Sequence, residues 1–411
     1  MEYFLEYPKF RILKNHIMKD PLCDWFKINS DKYHKDDTNI YQDFIRKSSN
    51  EYKNNILKNI LKLSELNIPI NPTFNQTKEL IYNDSELILQ GILLNKDDIY
   101  VDCDIIISYR LFKKIFPKIN NLPFHLYYKG INDYLLIDIC YSTLHFNIDL
   151  KDVNNDNMIF YKKCSMYAFQ QVFYELSGIK PKCFLLGKEY YYKNTLLPKK
   201  EFIAQIDMND KIKNAYQNSL EWINYLRENH KELYIDPKPN IIEMFPNMNY
   251  HDTEWENEKT KLANKIKELT LVWNISYEER CNLYEKGIEC WDNPKLLKEL
   301  KDSKKKDIQE RMIHMNQQDE IIIYPRKNIS CFTKETIKPT STDIYFDIES
   351  FLSFDEKQNL FDEFVNDQKP IIGIIGYIYN NQFYNITINR YDRYDEERMI
   401  KQFSSYLYKI S

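Results

Sequence analysis

Three residues on two apolar stretches have side chains that could do chemistry. Asp138 and Cys140 lie two apart in the stretch Tyr134 to Phe146 (YLLIDICYSTLHF), and Asp104 lies in Ile99 to Ser108 (IYVDCDIIIS). Residues two apart in a strand point to one face, so Asp138 and Cys140 are predicted to face one site. Carboxylates set into two apolar strands indicate a cation site or a catalytic site. Each Asp could instead end its strand or pair with a lysine, and the residues alone leave both interpretations open.

A second pair of acids lies near the end of the chain. Asp347 and Glu349 form a D-x-E pattern in the stretch FDIES. Two acids on one strand face can hold two magnesium ions for an in-line attack on a phosphate. D-x-E is a weak signal by itself, so this prediction depends on the strands that surround it.

The periodicity of the chain predicts an α/β fold. Phe44 to Ser64 has helical spacing, and Glu86 to Asp149 has the spacing of several strands in one mixed sheet, two of them at residues 123–130 and at Leu144 to Leu150. Lys162 to Ser177 predicts an amphipathic helix that ends at Gly178, and Cys183 to Gly187 predicts a further strand. This order indicates a sheet with a layer of helices packed against it.

The second half is predicted to be helical up to residue 300 and to return to strands near residue 344. The charge run Lys301 to Asp307 (KDSKKKD) is interpreted as a solvated linker. The predicted C-terminal elements are three strands and a helix: Ile344 to Ile348, Pro370 to Tyr379, Gln382 to Ile388, and Glu396 to Ile410. They resemble the first half of a second α/β domain.

Length and composition limit the class of protein. A chain of 411 residues predicts two or three domains, and a net charge of -4 argues against a generally basic nucleic-acid coat. The eight cysteines are scattered without a CxxC pair, which predicts reduced thiols in an intracellular protein, cytoplasmic or nuclear. No signal sequence and no apolar run near ~18 residues is found, so no membrane association is expected.

Taken in order, the strands and helix of the first part resemble the RecB-like, CRISPR-associated-type branch of the PD-(D/E)XK nucleases. The resemblance implies a mixed sheet with flanking helices that holds Mg or Mn ions on acidic residues, beside a lysine that activates water. The whole chain looks like nucleases that join such a domain to a helical middle segment and an RNase H-like DEDD exonuclease domain. The corresponding segments are residues 1–200, 201–335 and 336–411.

The resemblance assigns roles to individual residues. Asp104 matches the aspartate of the family's second motif and Asp138 the first carboxylate of D/E-x-K, so both are implied catalytic residues and metal ligands. Cys140 stands at the lysine position, and a mostly neutral thiol cannot supply the ammonium charge. In the first motif, Ser49 stands at the glycine and Lys53 at the glutamate, while Glu51 lies nearby but out of register.

The fourth motif of the family, Q-x-x-x-Y, aligns best with Ser165 and Phe169 in KCSMYAF. A shifted alignment matches Gln170 with Tyr174 and keeps the literal spacing. The same helix offers Lys162 and Lys163, which could reach the site in place of Cys140 or contact nucleic acid.

The C-terminal segment resembles the start of a DEDD exonuclease, in which Asp347 and Glu349 would be catalytic and metal-binding. The family needs two more aspartates from later helices, and Asp392 and Asp395 lie too close to the third strand to supply them. The expectation is a truncated domain that a second polypeptide would complete. In the middle segment, Trp273 and Trp291 are predicted to be core residues of a helical hairpin.

Three functions follow from these observations. The first is a nuclease-derived, nucleic-acid-associated protein with eroded catalysis and DNA as its partner. The second is an active magnesium-dependent deoxyribonuclease with a relocated lysine. The third is a scaffold for protein interactions in which both acid pairs are structural.

Overall fold

The computed structural model describes residues 11–37, 40–96, 99–119, 133–300, 304–317, 343–351, 370–380, 382–389 and 393–410. Within these ranges the predicted α/β fold is confirmed, since a six-stranded mixed sheet and a three-stranded sheet are flanked by helices. The chain divides into two compact units, residues 1–39 with 56–319 and residues 40–55 with 320–411. The predicted domain boundaries at residues 200 and 335 stay predictions.

The described helices are, in chain order, α1 (Arg11–Ile17), α2 (Leu22–Ile28), α3 (Ile40–Ser64), α4 (Phe74–Tyr82), α5 (Tyr109–Ile115), α6 (Asn157–Ser177), α7 (Asp210–Asn229), α8 (Glu256–Ile266), α9 (Tyr277–Glu285), α10 (Leu296–Glu299), α11 (Lys304–Asn316) and α12 (Arg393–Ile410). Two 3-10 turns lie at Ile242–Met244 and Leu269–Leu271. None of the helices in the described ranges is both long enough and apolar enough to cross a membrane.

The described strands are β1 (Leu87–Leu94), β2 (Tyr100–Ser108), β3 (Tyr134–His145), β4 (Lys182–Tyr192), β5 (Thr195–Leu197), β6 (Ala204–Gln205), β7 (Tyr345–Phe351), β8 (Ile371–Tyr379) and β9 (Gln382–Thr387). The larger sheet has the order β1-β2-β3-β4-β5, with β6 paired to β4. Strands β1, β2 and β3 are antiparallel, whereas β4 is parallel to β3. Parallel pairing requires a crossover, and α6 forms it.

Helix α6 covers one face of β3. The ring of Tyr134 lies 5.5 Å from the ring of Phe173 on α6. Leu136 points to the same face as Tyr134, since side chains alternate along a strand, and it is fully buried. The following residues of that face are Asp138 and Cys140, so the sequence of β3 sets a carboxylate and a thiol under α6.

Helix α6 has well-defined ends. Asp156 caps its N-terminus by accepting a hydrogen bond from the backbone N–H of Ile159, and Gly178 ends it in the left-handed conformation with φ 70°. The predicted glycine C-cap is therefore confirmed, because only glycine adopts this conformation without a steric penalty.

Some predicted boundaries are wrong. The stretch Leu144 to Leu150 was expected to form a strand of its own, but β3 ends at His145 and residues 147–150 turn. Residues 200–209 belong to the half predicted to be helical, but α7 begins only at Asp210, because the side chain of Asn209 accepts a hydrogen bond from the backbone N–H of Ile212. The run expected to be a linker is helical from Lys304 onward. A strand predicted at residues 123–130 lies outside the described residues.

The second unit contains a three-stranded antiparallel sheet of the order β7-β8-β9. Its core residues on β8, Ile375 and Tyr377, pack with Met399 and Phe403 of α12. Because side chains alternate between the two faces of a strand, the residues that flank Ile375 and Tyr377 in the sequence of β8 point away from this helix.

Candidate functional site

Strands β2 and β3 bring Asp104 and Asp138 together. Ile105 of β2 pairs with Ile137 of β3, and Asp104 and Asp138 are the next residues beyond this pair. Asp104 is 2% exposed, and its Oδ2 accepts a hydrogen bond of 2.9 Å from the backbone N–H of Ile139. The two predicted carboxylates thus lie on neighbouring strands at one place in the sheet.

Lys162 of α6 lies against this pair. It precedes Met166 by one helical turn and Phe169 by two, on the stripe of α6 that faces the sheet. Its Nζ donates hydrogen bonds to Oδ2 of Asp138 at 2.6 Å and to the carbonyl oxygen of Ile139 at 3.3 Å. The side chains of Lys162 and Asp138 are 26% and 17% exposed, so the ion pair lies at the margin of the core.

The charges of this site stabilise one another. Burial alone would lower the pKa of Lys162, but the Asp138 carboxylate, with a smaller contribution from Asp104, raises that pKa well above its ordinary value. Lys162 is therefore a permanent cation at neutral pH.

Cys140 lies beside the ion pair but belongs to the core. Its side chain is 0% exposed and is part of the main hydrophobic cluster with Leu136, Leu144 and Phe169. Burial raises the pKa of Cys140 to about 12, although Lys162 nearby favours the thiolate. The thiol is therefore neutral, and it supplies neither a charge nor a nucleophile at physiological pH.

Lys163 does not reach the carboxylates. It is 1% exposed and pairs with Asp152 at 2.8 Å, and its Nζ also donates to the carbonyl of Val153. These contacts fix the segment between β3 and α6. The prediction that Lys163 contacts nucleic acid is not supported, because its ammonium is buried in an ion pair and is not presented at the surface.

The other residues matched to the family motifs lie on α3 and α6. Ser49, Glu51 and Lys53 lie on α3, and the carboxylate-bearing Glu51 is exposed. On α6, Phe169 is a core residue, whereas Ser165 is partly buried.

The shifted alignment of the fourth motif places its residues in structural roles. Gln170 is buried, and its Nε2 donates to the carbonyl of Pro181 at 2.6 Å. Tyr174 is 49% exposed.

A basic cluster that the sequence did not reveal lies where β3 and β4 change register. A bulge separates Cys140 from Thr143 on β3. Beside it, Nζ of the buried Lys188 lies 4.9 Å from the ring centroid of Tyr141, and Thr143 donates to Glu189 at 3.1 Å. Burial lowers the pKa of Lys199 to about 7, with Glu189 opposing this change and Lys188 adding to it.

Asp347 and Glu349 are exposed on β7. They pair with Gly376 and Ile374 of β8, so both point to the sheet face opposite α12. The carboxylate of Asp347 accepts a hydrogen bond from the backbone N–H of Ile348 at 2.9 Å. The two acids share a face as predicted, and completion of this unit by a second polypeptide stays a prediction.

Asp395 and Glu396 hold the start of α12. Asp395 accepts from the backbone N–H of Asn389 at 2.7 Å and pairs with Arg398, and Glu396 accepts from the N–H of Ile372 at 2.8 Å. These bonds agree with a structural role for both acids. Asp392 lies outside the described residues.

The middle segment is packed around a buried ion pair. Arg280 of α9 and Glu268 are both 0% exposed and lie 3.3 Å apart, and Arg280 also donates to the carbonyls of Phe245 and Pro246. Trp291 is 9% exposed in the core of this segment, as predicted. Trp273 is 48% exposed, so its prediction as a core residue is wrong.

The residues at Asp104 and Asp138 do not fit a magnesium ion as they stand, because the Lys162 ammonium already binds the oxygens that would hold it. Mg²⁺ is commonly held by one or two carboxylates and completes its ligand shell with water. Oδ2 of each carboxylate already accepts a hydrogen bond, and the Lys162 ammonium lies between Asp138 and the carbonyl. In the described part of the chain, no group of three or more His, Cys, Asp or Glu side chains is arranged to hold a metal ion.

The sequence missed the backbone carbonyl of Ile139 and could not choose between Lys162 and Lys163. The signal that separates the lysines is the apolar stripe of α6, because Lys162 continues the positions of Met166 and Phe169 whereas Lys163 lies about 100° around the helix.

The comparisons with known proteins found no match for the chain: no family model, no curated protein and no solved structure matches it.

Proposed function

We propose that the first unit is a nuclease-derived, nucleic-acid-associated domain with eroded catalysis, and that DNA is its partner. The observation that carries the proposal is the position of the Lys162 ammonium, 2.6 Å from Asp138 and 3.3 Å from the carbonyl of Ile139. An ammonium bound by a carboxylate and a carbonyl, next to a second carboxylate, neutralises the group of oxygens that a metal ion would otherwise neutralise.

The ammonium opposes metal binding. A divalent ion would have to displace Lys162 from Asp138 or accept electrostatic repulsion at close range. Loss of a single group that stabilises charge in a transition state lowers a rate by about 10²-fold or more. Because the ammonium excludes the metal ion that would supply this stabilisation, the site is expected to be inactive.

A second function has a specific observation in its favour. This function is an active magnesium-dependent deoxyribonuclease, which would need a lysine beside its two carboxylates. Lys162 meets this requirement, since it lies against Asp138. In this alternative Lys162 replaces the lysine that is missing at Cys140. It would have to leave Asp138 when the ion binds.

Cleavage assays separate the two functions. The wild-type chain and an Asp104→Ala, Asp138→Ala double variant, purified in parallel, are incubated with labelled single- and double-stranded DNA over a titration of Mg²⁺ and Mn²⁺. We expect both proteins to bind DNA at low salt, where backbone contacts dominate, and neither to cleave it. Cleavage by the wild type that disappears in the double variant would establish the active nuclease instead. Absence of any DNA binding at low salt would favour the interaction scaffold.

A further inference from the structure

A cavity of about 860 Å³ opens on the first unit, away from the ion pair of Asp138. It is formed between the end of α1, the first turns of α6, α7 and α9, the loop at residues 247–250, and α11. The charged residues that line it are Lys19, Lys211, Lys305, Glu278 and Glu279. Three lysines and two glutamates give the wall a net charge of one positive.

Two of these lysines form no ion pair with a carboxylate of the described residues. Nζ of Lys19 lies 5.6 Å from the ring centroid of Tyr277, and Nζ of Lys211 lies 5.0 Å from that of Phe160. The ion pairs within the described residues are formed by other lysines, such as Lys162, Lys163 and Lys259. Lysines without a counter-ion on a concave surface concentrate anions, because a cleft with low-dielectric walls focuses the field of its charges.

The walls of the cavity also carry aromatic and amide groups. The rings of Phe160, Tyr250 and Tyr277 line it, and Asn157, the first residue of α6, contributes an exposed side-chain amide. Aromatic faces stack on nucleobases, and amide groups make hydrogen bonds to base edges. Helices α6, α7 and α9 all begin at the cavity, but an acid offsets the partial positive charge of each N-terminus: Asp156 caps α6, Asp210 lies in the first turn of α7, and Glu278 and Glu279 lie in that of α9.

Glu278 and Glu279 limit where an anion can lie. Both belong to the first turn of α9, where they repel phosphate. Lys211 belongs to the first turn of α7, which has its own acid, Asp210, paired with Lys213 at 2.8 Å. The least opposed position for a phosphate is therefore beside Lys211 and Asn157, and the two glutamates can accept hydrogen bonds from amino groups of a base.

We infer that this cavity binds a nucleoside phosphate, with its phosphate beside Lys211 and its base among the aromatic rings, and that the charge of Lys19 adds to the attraction for the phosphate. A volume of this size is in the range of small-ligand sites, about 300–1,000 Å³. The ligand is either a free mononucleotide or one unit of a single strand. The second source rests on the proposed function, whereas the first does not.

The test uses the full chain in buffer with EDTA, so that no metal-dependent reaction at Asp104 and Asp138 contributes. Calorimetry measures the binding of adenosine 5′-monophosphate, adenosine and inorganic phosphate, and fluorescence anisotropy measures a labelled thymidine hexamer. The variant is Lys19→Gln with Lys211→Gln. The matched control is Lys180→Gln with Lys298→Gln, which removes two exposed lysines that do not line the cavity. Circular dichroism and the melting temperature confirm that both variants fold.

We expect the cavity variant to weaken binding at least 10-fold while the control stays within 2-fold of the wild type. Loss of monophosphate binding identifies a free nucleotide as the ligand, and loss of hexamer binding alone identifies a strand. The proposal is overturned if neither probe binds, if the two variants weaken binding equally, or if inorganic phosphate binds as tightly as the monophosphate. An Asp104→Ala, Asp138→Ala variant should bind like the wild type, so a failure of the proposed function would not alter this result.

Discussion

Nζ of Lys162 donates a 2.6 Å hydrogen bond to Oδ2 of Asp138, across 24 residues of sequence. The pair joins α6 to β3 at the point where the sheet also carries Asp104. A carboxylate buried in a strand needs a compensating positive charge or a set of hydrogen bonds. In this protein Lys162 of α6, the helix that follows β3, supplies that charge. Cys140, two residues after Asp138, is a neutral thiol and supplies none.

Lys162→Met should destabilise the protein and create a site for divalent cations. Removal of the ammonium leaves Asp104 and Asp138 adjacent without a cation, which should lower the free energy of unfolding by about 2 kcal/mol for this partly exposed pair. Millimolar Mn²⁺ should then raise the melting temperature of the variant more than that of the wild type, since a ligand that binds only the folded state stabilises it. Thermal melts with and without Mn²⁺ measure both effects.

Lys163→Met is the control for this experiment. It removes the neighbouring lysine, which pairs with Asp152 and is 1% exposed, so the variant should lose at least as much stability. Its melting temperature should not respond to Mn²⁺. Equal responses of the wild type and both variants to Mn²⁺ would show that the Lys162 ammonium does not exclude a cation from the site.

Cys140 should be inert to thiol reagents in the folded protein. Its pKa of about 12 and its complete burial leave almost no accessible thiolate at pH 8, so alkylation should be at least about 10³-fold slower than for a free cysteine. Cys281 and Cys290, which are only partly buried, should react faster than Cys140. Mass spectrometry of iodoacetamide-treated peptides, with and without guanidinium, measures the rates. Native labelling of Cys140 as fast as Cys281 would show that β3 opens readily.

Gly187→Ala should destabilise the sheet next to the site. Gly187 pairs with Cys140, and a Cβ at residue 187 would lie 2.7 Å from Cγ of Leu144. The clash should lower the free energy of unfolding by about 1–3 kcal/mol. In Leu144→Ala the obstructing atoms are absent, so adding Gly187→Ala to that variant should cost less than it does in the wild type. Urea unfolding of the four proteins measures the difference, and strict additivity would contradict the contact.

The position of the two aspartates could be predicted from the sequence, but the third member of the site could not. Asp104 and Asp138 stand out because a charged residue in a run of isoleucines contributes nothing to packing. Lys162 and Lys163 are adjacent on α6 and point in directions about 100° apart. Which of them reaches the aspartates therefore depends on how α6 is rotated about its axis over the sheet. The neutral state of Cys140 likewise follows from burial by residues distant in sequence.

The cavity lysines illustrate the same limit. Lys19, Lys211 and Lys305 are separated by about a hundred residues or more, and no local pattern relates them. The run that contains Lys305 was interpreted as a linker, because its charges hide the helical spacing of α11. Local periodicity therefore gave most elements their type, whereas the convergence of side chains depended on tertiary packing.

The exposed acids of the second unit should contribute little to stability. Asp347→Asn with Glu349→Gln should change the free energy of unfolding by less than about 0.5 kcal/mol, as is usual for exposed positions. The matched control is Asp395→Asn with Glu396→Gln, whose carboxylates are buried and accept backbone hydrogen bonds. That variant should lose about 2 kcal/mol. Urea unfolding compares the two, and a large loss in the first variant would show that Asp347 and Glu349 are structural.

His16 should make the stability of the first unit depend on pH. Burial, helped by the nearby Lys19, lowers the pKa of His16 from 6.5 to about 4. The unfolded chain therefore binds a proton between pH 6.5 and pH 4 that the folded chain does not bind, and stability falls as the pH falls through this window. Between pH 7 and pH 5 the contribution of His16 should fall by about 2 kcal/mol.

His16→Gln isolates this contribution. The substitution also removes the contact between the imidazole and the ring of Trp222, whose centroids lie 6.2 Å apart, so the variant should be less stable at pH 7. It should nevertheless lose less stability than the wild type between pH 7 and pH 5. The buried Asp20 and Asp24 have raised pKa values and act in the opposite direction, but they are common to both proteins and cancel in the comparison. Urea unfolding at the two pH values gives the result, and parallel losses in the two proteins would show that His16 is protonated in the folded state at pH 5.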